Sequence, residues 1–259
     1  MHERDAKPWF EFEPVRIVSC NKGVRAAVGR CCCGTGVEAA SLAASNMEKI
    51  AKPRIVGRSS SHFTRVTRIF ASELAVEYEL GVVYDLGSLR AEDYAGNPAL
   101  KVPILQTADG VWFGALNICR ELVRLSKGEL RVVWPEALLQ PLLANAQELA
   151  VHAMATEVGL IMSAANGAEA TSSDQIKARA SLINAMTWLD ANVRKTLAAL
   201  PTERDLSYLE VALYCLVTHL EFRNVLPTAD YPELLAFCER FGERESARET
   251  PYRFDVRGG

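Results

Sequence analysis

Asn97-Pro98-Ala99-Leu100-Lys101-Val102-Pro103-Ile104-Leu105 is the stretch on which the fold turns. Pro103 stands at the entry of a short apolar run, behind a turn that holds Asn97 and Pro98. A proline there starts a strand that cannot donate its first ladder hydrogen bond. The backbone of Val102, just ahead of it, is then free to pair with something outside the sheet. Proline is also the residue that takes a cis peptide bond at small cost. By itself such a proline marks no more than an edge strand; its neighbours decide the matter.

Upstream, residues 53–57 are short, β-branched and end in glycine, which predicts a strand. Ser59, Ser60 and Ser61 offer helix caps, and Phe63, Val66, Ile69, Phe70 and Leu74 follow at helical spacing. Residues 76–84 alternate and predict a second strand; residues 88–94 predict a connection with one short helix. Downstream, residues 101–106 and 111–113 form a hairpin about Ala108-Asp109-Gly110. A helix over 116–125 carries Leu116, Ile118, Cys119, Leu122 and Val123 as its apolar positions. The order is β-α-β-(α)-β-β-α. Beyond Trp134-Pro135 no strand pattern recurs, and helices are expected over 135–165, 173–200, 206–222 and 231–244. The chain thus reads as an α/β domain over 47–127 followed by an all-α helical domain over 134–250, joined near 128–134.

Composition narrows the classes of function. A chain of 259 residues, 49% apolar and 24% charged, is ordinary globular material. A net charge of −3 offers no footprint for nucleic acid, and no apolar run reaches the length of a membrane span. The seven cysteines are odd in number, with Cys31, Cys32 and Cys33 adjacent, which argues against a disulfide framework and for a reducing compartment. That run lacks the spacing with which two thiolates grip one metal, and the four histidines are scattered, so no metal is expected. Residues 1–46 hold Pro8, Pro14 and four glycines without sustained periodicity, and their start does not resemble a secretory signal. They read as a poorly ordered extension or the product of an upstream start codon, with Met47 as the true first residue; a redox tail is the alternative.

Three blocks resemble cytosolic glutathione transferases, specifically the bacterial serine-type members. Ser61-His62-Phe63-Thr64-Arg65-Val66-Thr67-Arg68 is similar to their S-P-[YF]-x-R-K-x-R stretch. Asn97 to Leu105 is similar to N-P-x-G-K-V-P-x-L, with Ala99-Leu100 in place of x-Gly. Asp205-Leu206-Ser207-Tyr208-Leu209-Glu210-Val211-Ala212 is similar to the S-x-A-D-[IV]-A helix start, followed by Leu220-Glu221-Phe222-Arg223. Together the blocks span roughly residues 53–250 in the family's order. The resemblance implies a thioredoxin-like glutathione-binding domain followed by a helical domain, a cytoplasmic homodimer, a role in detoxification, and glutathione as co-substrate.

Residue by residue, the resemblance places Ser61 at the catalytic position, beside the glutathione thiol. The physical rationale is independent of the name. A helix N-terminus favours a thiolate over a thiol, and a hydroxyl donating to sulfur favours it further. Ser61 as a plain helix N-cap is the structural alternative, and Ser59 and Ser60 compete for the role. Lys101, Val102 and Pro103 would bind glutathione, with Val102 pairing its backbone to the cysteinyl part across a cis-proline step. Gly114 and Ala115 fall where the family has an acidic residue or Gln followed by Ser or Thr, which grips the γ-glutamyl end. Neither has a side chain that hydrogen-bonds, and Asn117 is the nearby partial substitute.

Ser207 and Glu210 make a capping box, with Leu206 able to staple onto Val211. Cys215 and His219 share a helix face, as core packing or as a metal or catalytic dyad. For the electrophile, the faces of the 135–165 helix offer Leu142, Leu149, His152, Met154, Thr156 and Met162; His152 and Thr156 are the polar candidates, with a surface histidine as the alternative reading. The function expected is conjugation of glutathione to a small hydrophobic electrophile through a serine-stabilised thiolate. The alternative is a non-catalytic binding or interaction protein that has lost the γ-glutamyl grip. A glutathione-dependent thiol reductase ranks below both, because Ser61 and Thr64 stand where such an enzyme needs cysteines.

Overall fold

Residues 52–167 and 170–257 are described by a computed structural model; the expectations for residues 1–46, including Cys31 to Cys33, lie outside the described residues. Buried, β-branched Ile55 and Val56 make Arg54–Gly57 an inner strand, β1. Helix α1 follows at His62–Glu73, then β2 at Glu79–Val82 and a 3-10 turn at Ala91–Tyr94. Strands β3, Ile104–Thr107, and β4, Gly110–Phe113, form the hairpin, and α2 covers Ala115–Leu125. The sheet order is β2-β1-β3-β4, parallel between β1 and β2 and antiparallel elsewhere. This is the thioredoxin-like order read from the sequence, with shorter strands.

The shortening has local causes. Residues 76–78 do not extend into β2 because α1 ends in a Schellman turn. Val76 N–H donates to the Ala71 carbonyl (2.9 Å), Ala75 N–H to that of Ser72 (3.0 Å), and Ala75 sits at φ 50°. Pairing in β3 begins at Ile104, after Pro103, whose peptide bond with Val102 is cis. The Asn97 side chain closes the preceding turn, donating to the Lys101 carbonyl (2.7 Å) and accepting from Ala99 N–H (3.0 Å). Leu100 takes φ 53°, a region that favours glycine, and packs against the buried group of Val56, Val83, Tyr94 and Ile104.

The remainder is predominantly helical. Helix α3, Pro141–Ala165, packs on α4, Ser173–Ala199, and on α5, Tyr208–Arg223. Helices α6, Pro232–Gly242, and α7, Glu245–Glu249, complete seven α-helices among the described residues. Two expectations need correction. The helix expected from residue 135 is a 3-10 turn at Pro135–Ala137, with α3 starting only at Pro141, a proline at the first helical position. Strand pairing also does recur: β5, Val132–Val133, runs parallel to β6, Leu206–Ser207. Asp205 locks that pairing by accepting from Arg131 N–H (2.8 Å) and from its guanidinium (2.9 Å).

Helix α5 is the axle of the molecule, buried on nearly every side from Tyr208 to Val217. Helix α1 packs against it and against α2. Arg65 ties the halves together: its guanidinium donates to Thr218 Oγ1 (3.0 Å), Tyr214 Oη (3.2 Å) and the Ala247 carbonyl (3.1 Å). It also lies between the Tyr214 and Tyr252 rings, 4.8 and 4.3 Å from their centroids.

Candidate glutathione site and its surroundings

The turn from β1 into α1 gives each serine of the triplet a different environment. Ser59 and Ser60 are buried; Ser61 is half-exposed. Ser61 is the N-cap of α1, and its Oγ accepts from Thr64 N–H (3.3 Å). Ser60 accepts through its carbonyl from His219 Nε2 (2.9 Å). Ser59 donates its backbone N–H to the Asp255 carboxylate (2.7 Å). Val56 pairs with Ile104 as the last step of the antiparallel register, so Gly57, which leads into the serine turn, and Pro103 are the next residues beyond the paired ends. Among the described residues, no hydrogen bond uses the Val102 N–H or carbonyl, and Lys101 is exposed.

Gly114 is the N-cap of α2, with φ 82° and no side-chain cap, while Ala115 is buried. A Cβ on Gly114 would meet open space, so only the backbone conformation favours glycine there. Asn117 donates to the Phe113 carbonyl (3.2 Å). Near the serine turn, the chain after α7 runs along α5. Tyr252 donates to the Cys215 carbonyl (2.7 Å) and stacks on Phe222 with 5.3 Å between centroids. Phe254 also packs on Phe222, 4.9 Å between centroids, with Arg223 over its ring at 5.5 Å. Tyr84 then donates to the Val256 carbonyl (3.3 Å).

Behind the serine turn lies a cluster that the sequence reading missed. His62 from α1, Glu157 from α3 and His219 from α5 meet with every side chain buried. His219 Nδ1 and Glu157 Oε1 are 2.7 Å apart, and His62 Nδ1 and Glu157 Oε2 3.2 Å. Burial pulls the His62 pKa down. Burial pushes Glu157 up, but its hydrogen bond to His219 and the nearby His62 imidazole outweigh that and leave it below the ordinary glutamate value. A signal was available: Glu157 continues the buried series Leu143, Ala146, Ala150, Ala153 and Met154 on α3, where an acid demands a partner. His62 also replaces the proline of the S-P-[YF] pattern.

Cys215 and His219 do not form a dyad. The Cys215 thiol is fully buried, with burial pushing its pKa up to about 12, and His219 turns to Glu157 and Ser60. The capping box is half made. Ser207 Oγ accepts from Glu210 N–H (3.3 Å), but the Glu210 carboxylate goes to Arg204 at 2.8 Å and the Ser207 backbone joins β6. His152 and Thr156 are brought together, but against α4: His152 Nε2 is 2.9 Å from Ser181 Oγ and 3.4 Å from Thr156 Oγ1. Met154 belongs to the core; Leu142, Leu149 and Met162 are half-buried. An open cavity of about 470 Å³ lies further along α3, lined by Leu160, Ile161, Ala164, Arg179, Arg223 and Val225 among others. Among the described residues, no helix is long and apolar enough to cross a membrane.

Residues 60–125 match the family model described as the N-terminal domain of glutathione S-transferase. A search of curated proteins finds no match. Similar solved structures include a glutathione S-transferase from Methylobacillus flagellatus with glutathione bound: 19% identical, covering 77% of this chain and 99% of that one, TM-score 0.61. A glutathione transferase family member from Pseudomonas fluorescens with bound glutathione is 20% identical over 78% of this chain and 100% of that one, TM-score 0.63. A Methylobacterium radiotolerans glutathione S-transferase in complex with glutathione sulfonate is 17% identical over 81% and 99%, TM-score 0.61. Residues 60–125 thus match the N-terminal domain of glutathione S-transferase, and the chain shares the two-part fold of these structures.

Proposed function

We propose that the chain binds glutathione at the serine turn and acts as a glutathione transferase, with Ser61 donating to the thiolate sulfur. The observation that carries this reading is the placement of Ser61: of the three serines it alone is half-exposed, and it caps the helix whose N-terminus favours an anion. Thiol stabilisation requires both the hydroxyl and that helix end. Val102, with its free backbone, pairs with the cysteinyl portion, and Lys101 and Pro103 flank it. No side chain at Gly114 or Ala115 grips the γ-glutamyl end, so affinity rests on fewer contacts than the family motif supplies. Hydrogen bonds to a charged group are worth about 1.5–3 kcal/mol each, which sets the scale of the loss.

The acceptor would be a small hydrophobic electrophile. The aromatic wall of Phe222, Tyr252 and Phe254 beside the serine turn supports that choice better than His152, which bonds to Ser181 of α4, and Thr156, which bonds to His152. The family resemblance supports a homodimer, a cytoplasmic setting and a division between domains at residues 128–133. A non-catalytic binding protein is the second reading, favoured by Gly114-Ala115 and by the Asp255 carboxylate on Ser59 N–H. Retention on immobilised glutathione and conjugation of a generic aromatic electrophile test the two. Activity in wild type, abolished in Ser61→Ala with the fold intact, supports the transferase. Failure to bind, rescued by Gly114→Glu with Ala115→Ser, supports the binding protein and refutes the transferase.

A further inference from the structure

The buried cluster behind the serine turn needs an occupant. His62, Glu157 and His219 come from three different helices, and their ligand atoms all lie within 4.8 Å of one another. His62 is entirely buried, yet neither ring nitrogen has a hydrogen-bond partner, and Glu157 Oε2 has none either. The 3.2 Å approach of His62 Nδ1 to that oxygen is therefore close but not aligned as a hydrogen bond. Orphaned polar atoms at this depth are rare and each costs about 1–3 kcal/mol. An interior with no use for them would hold apolar side chains.

We propose that His62, Glu157 and His219 bind a single divalent transition-metal ion, with zinc as the expected occupant. Two imidazoles and a carboxylate form a donor set suited to zinc, which takes such ligands at about 2.0–2.2 Å. His219 already shows the outer contact that metal-bound histidines make. Its Nε2–H donates to the Ser60 carbonyl (2.9 Å), which fixes the ring and leaves Nδ1 as the ligand atom. An ion would satisfy one of the two orphaned nitrogens of His62 and Oε2 of Glu157 together, and it would neutralise a carboxylate enclosed by α1, α3 and α5. The rival occupant is a proton shared between Glu157 and His219, which would satisfy the 2.7 Å contact but leave His62 without a partner.

The choice of variants follows from helix geometry. His62 is the first residue of α1 after its N-cap, a position whose N–H has no intrahelical partner and where proline is favoured. His62→Pro should therefore fold while removing one ligand; Glu157→Gln and His219→Asn remove the other two. The full-length chain, stripped with a chelator, is titrated with Zn²⁺ against a chromophoric competitor and with Co²⁺ by visible absorption. The expected result is one ion per chain in wild type, with a low-coordinate nitrogen–oxygen cobalt spectrum. Each variant should bind at least about 100-fold more weakly, beyond the loss typical of an outer-shell contact. Absence of binding in wild type overturns the proposal, as the shared proton would require. Binding that survives His62→Pro, as thiolates at Cys31 to Cys33 would give, overturns it equally.

Discussion

Replacing Arg65 by Met should remove the clamp between the two parts of the molecule while keeping most of its apolar volume. The guanidinium donates three hydrogen bonds, to Thr218, Tyr214 and the Ala247 carbonyl, and sits between two tyrosine rings. Charged hydrogen bonds contribute about 1.5–3 kcal/mol each when counted singly, and each cation–π contact about 0.5–2. These do not add fully, because the guanidinium itself is costly to bury. The methionine recovers part of the packing. The buried Ala247 carbonyl then lacks this donor, a loss of about 1–3 kcal/mol. The net expectation is destabilisation by about 3–4 kcal/mol. For a folded unit of this size each kcal/mol moves the thermal midpoint by about 2–4 °C, so the drop should be roughly 10 °C. Arg65→Lys, a point charge in place of a fork, should fall between the two. Denaturant unfolding of the three proteins measures this directly. A loss below about 1 kcal/mol for Arg65→Met would refute the clamp, and so would an unchanged midpoint accompanied by lost glutathione binding.

Other expectations follow from single contacts. Ala75→Gly should raise stability by about 0.5–1 kcal/mol, because the left-handed cost of alanine at φ 50° exceeds the entropy that glycine adds to the unfolded chain; a lowered midpoint would contradict the Schellman reading. Gly114→Ala should cost about 1 kcal/mol through backbone strain alone, since a Cβ there meets open space; unfolding curves check it. Burial pushes Glu73 up, but its hydrogen bonds to Arg244 and Ser246 outweigh this and hold it below the ordinary glutamate value of 4.5. Its stabilisation is therefore complete above about pH 4.5 and lost as pH falls through the depressed value; Glu73→Gln should flatten the acid limb of the stability profile relative to wild type. Asp205, held at about 2 by Arg131, contributes in the same direction from its ordinary 3.8 downward. Removing it with Asp205→Asn should loosen the β5–β6 pairing, seen as faster amide exchange at residues 131–133.

The α/β order was legible because its signals are local: β-branched runs, an Asp-Gly turn and apolar helical spacing each act over a few residues. Boundaries were less so. Residues 76–78 alternate like a strand, but the chain there still belongs to the end of α1, through hydrogen bonds that only the folded helix makes. The β5–β6 pairing joins residues 132 and 206, and two-residue strands leave no period to detect. The helix cap at Ser61 and the strand entry after Val102-Pro103 could be placed from helix-start and proline chemistry. The His62–Glu157–His219 cluster could not, because its members stand on three helices whose packing brings them together. Glu157 alone left a trace, as the one acid on an apolar stripe. His219 was read with Cys215, its neighbour on the same helix, whereas its partners come from α3 and the serine turn.

The central claim is that glutathione binds at the serine turn with its thiol ionised by Ser61 and the start of α1. Ultraviolet titration of the bound thiolate, in wild type and in Ser61→Ala, tests it most directly. In wild type the thiol of bound glutathione should titrate below the free value of about 8.5, and in Ser61→Ala it should move back toward that value while the protein stays folded. A thiol that titrates at the free value in wild type, or identically in both proteins, would contradict the account.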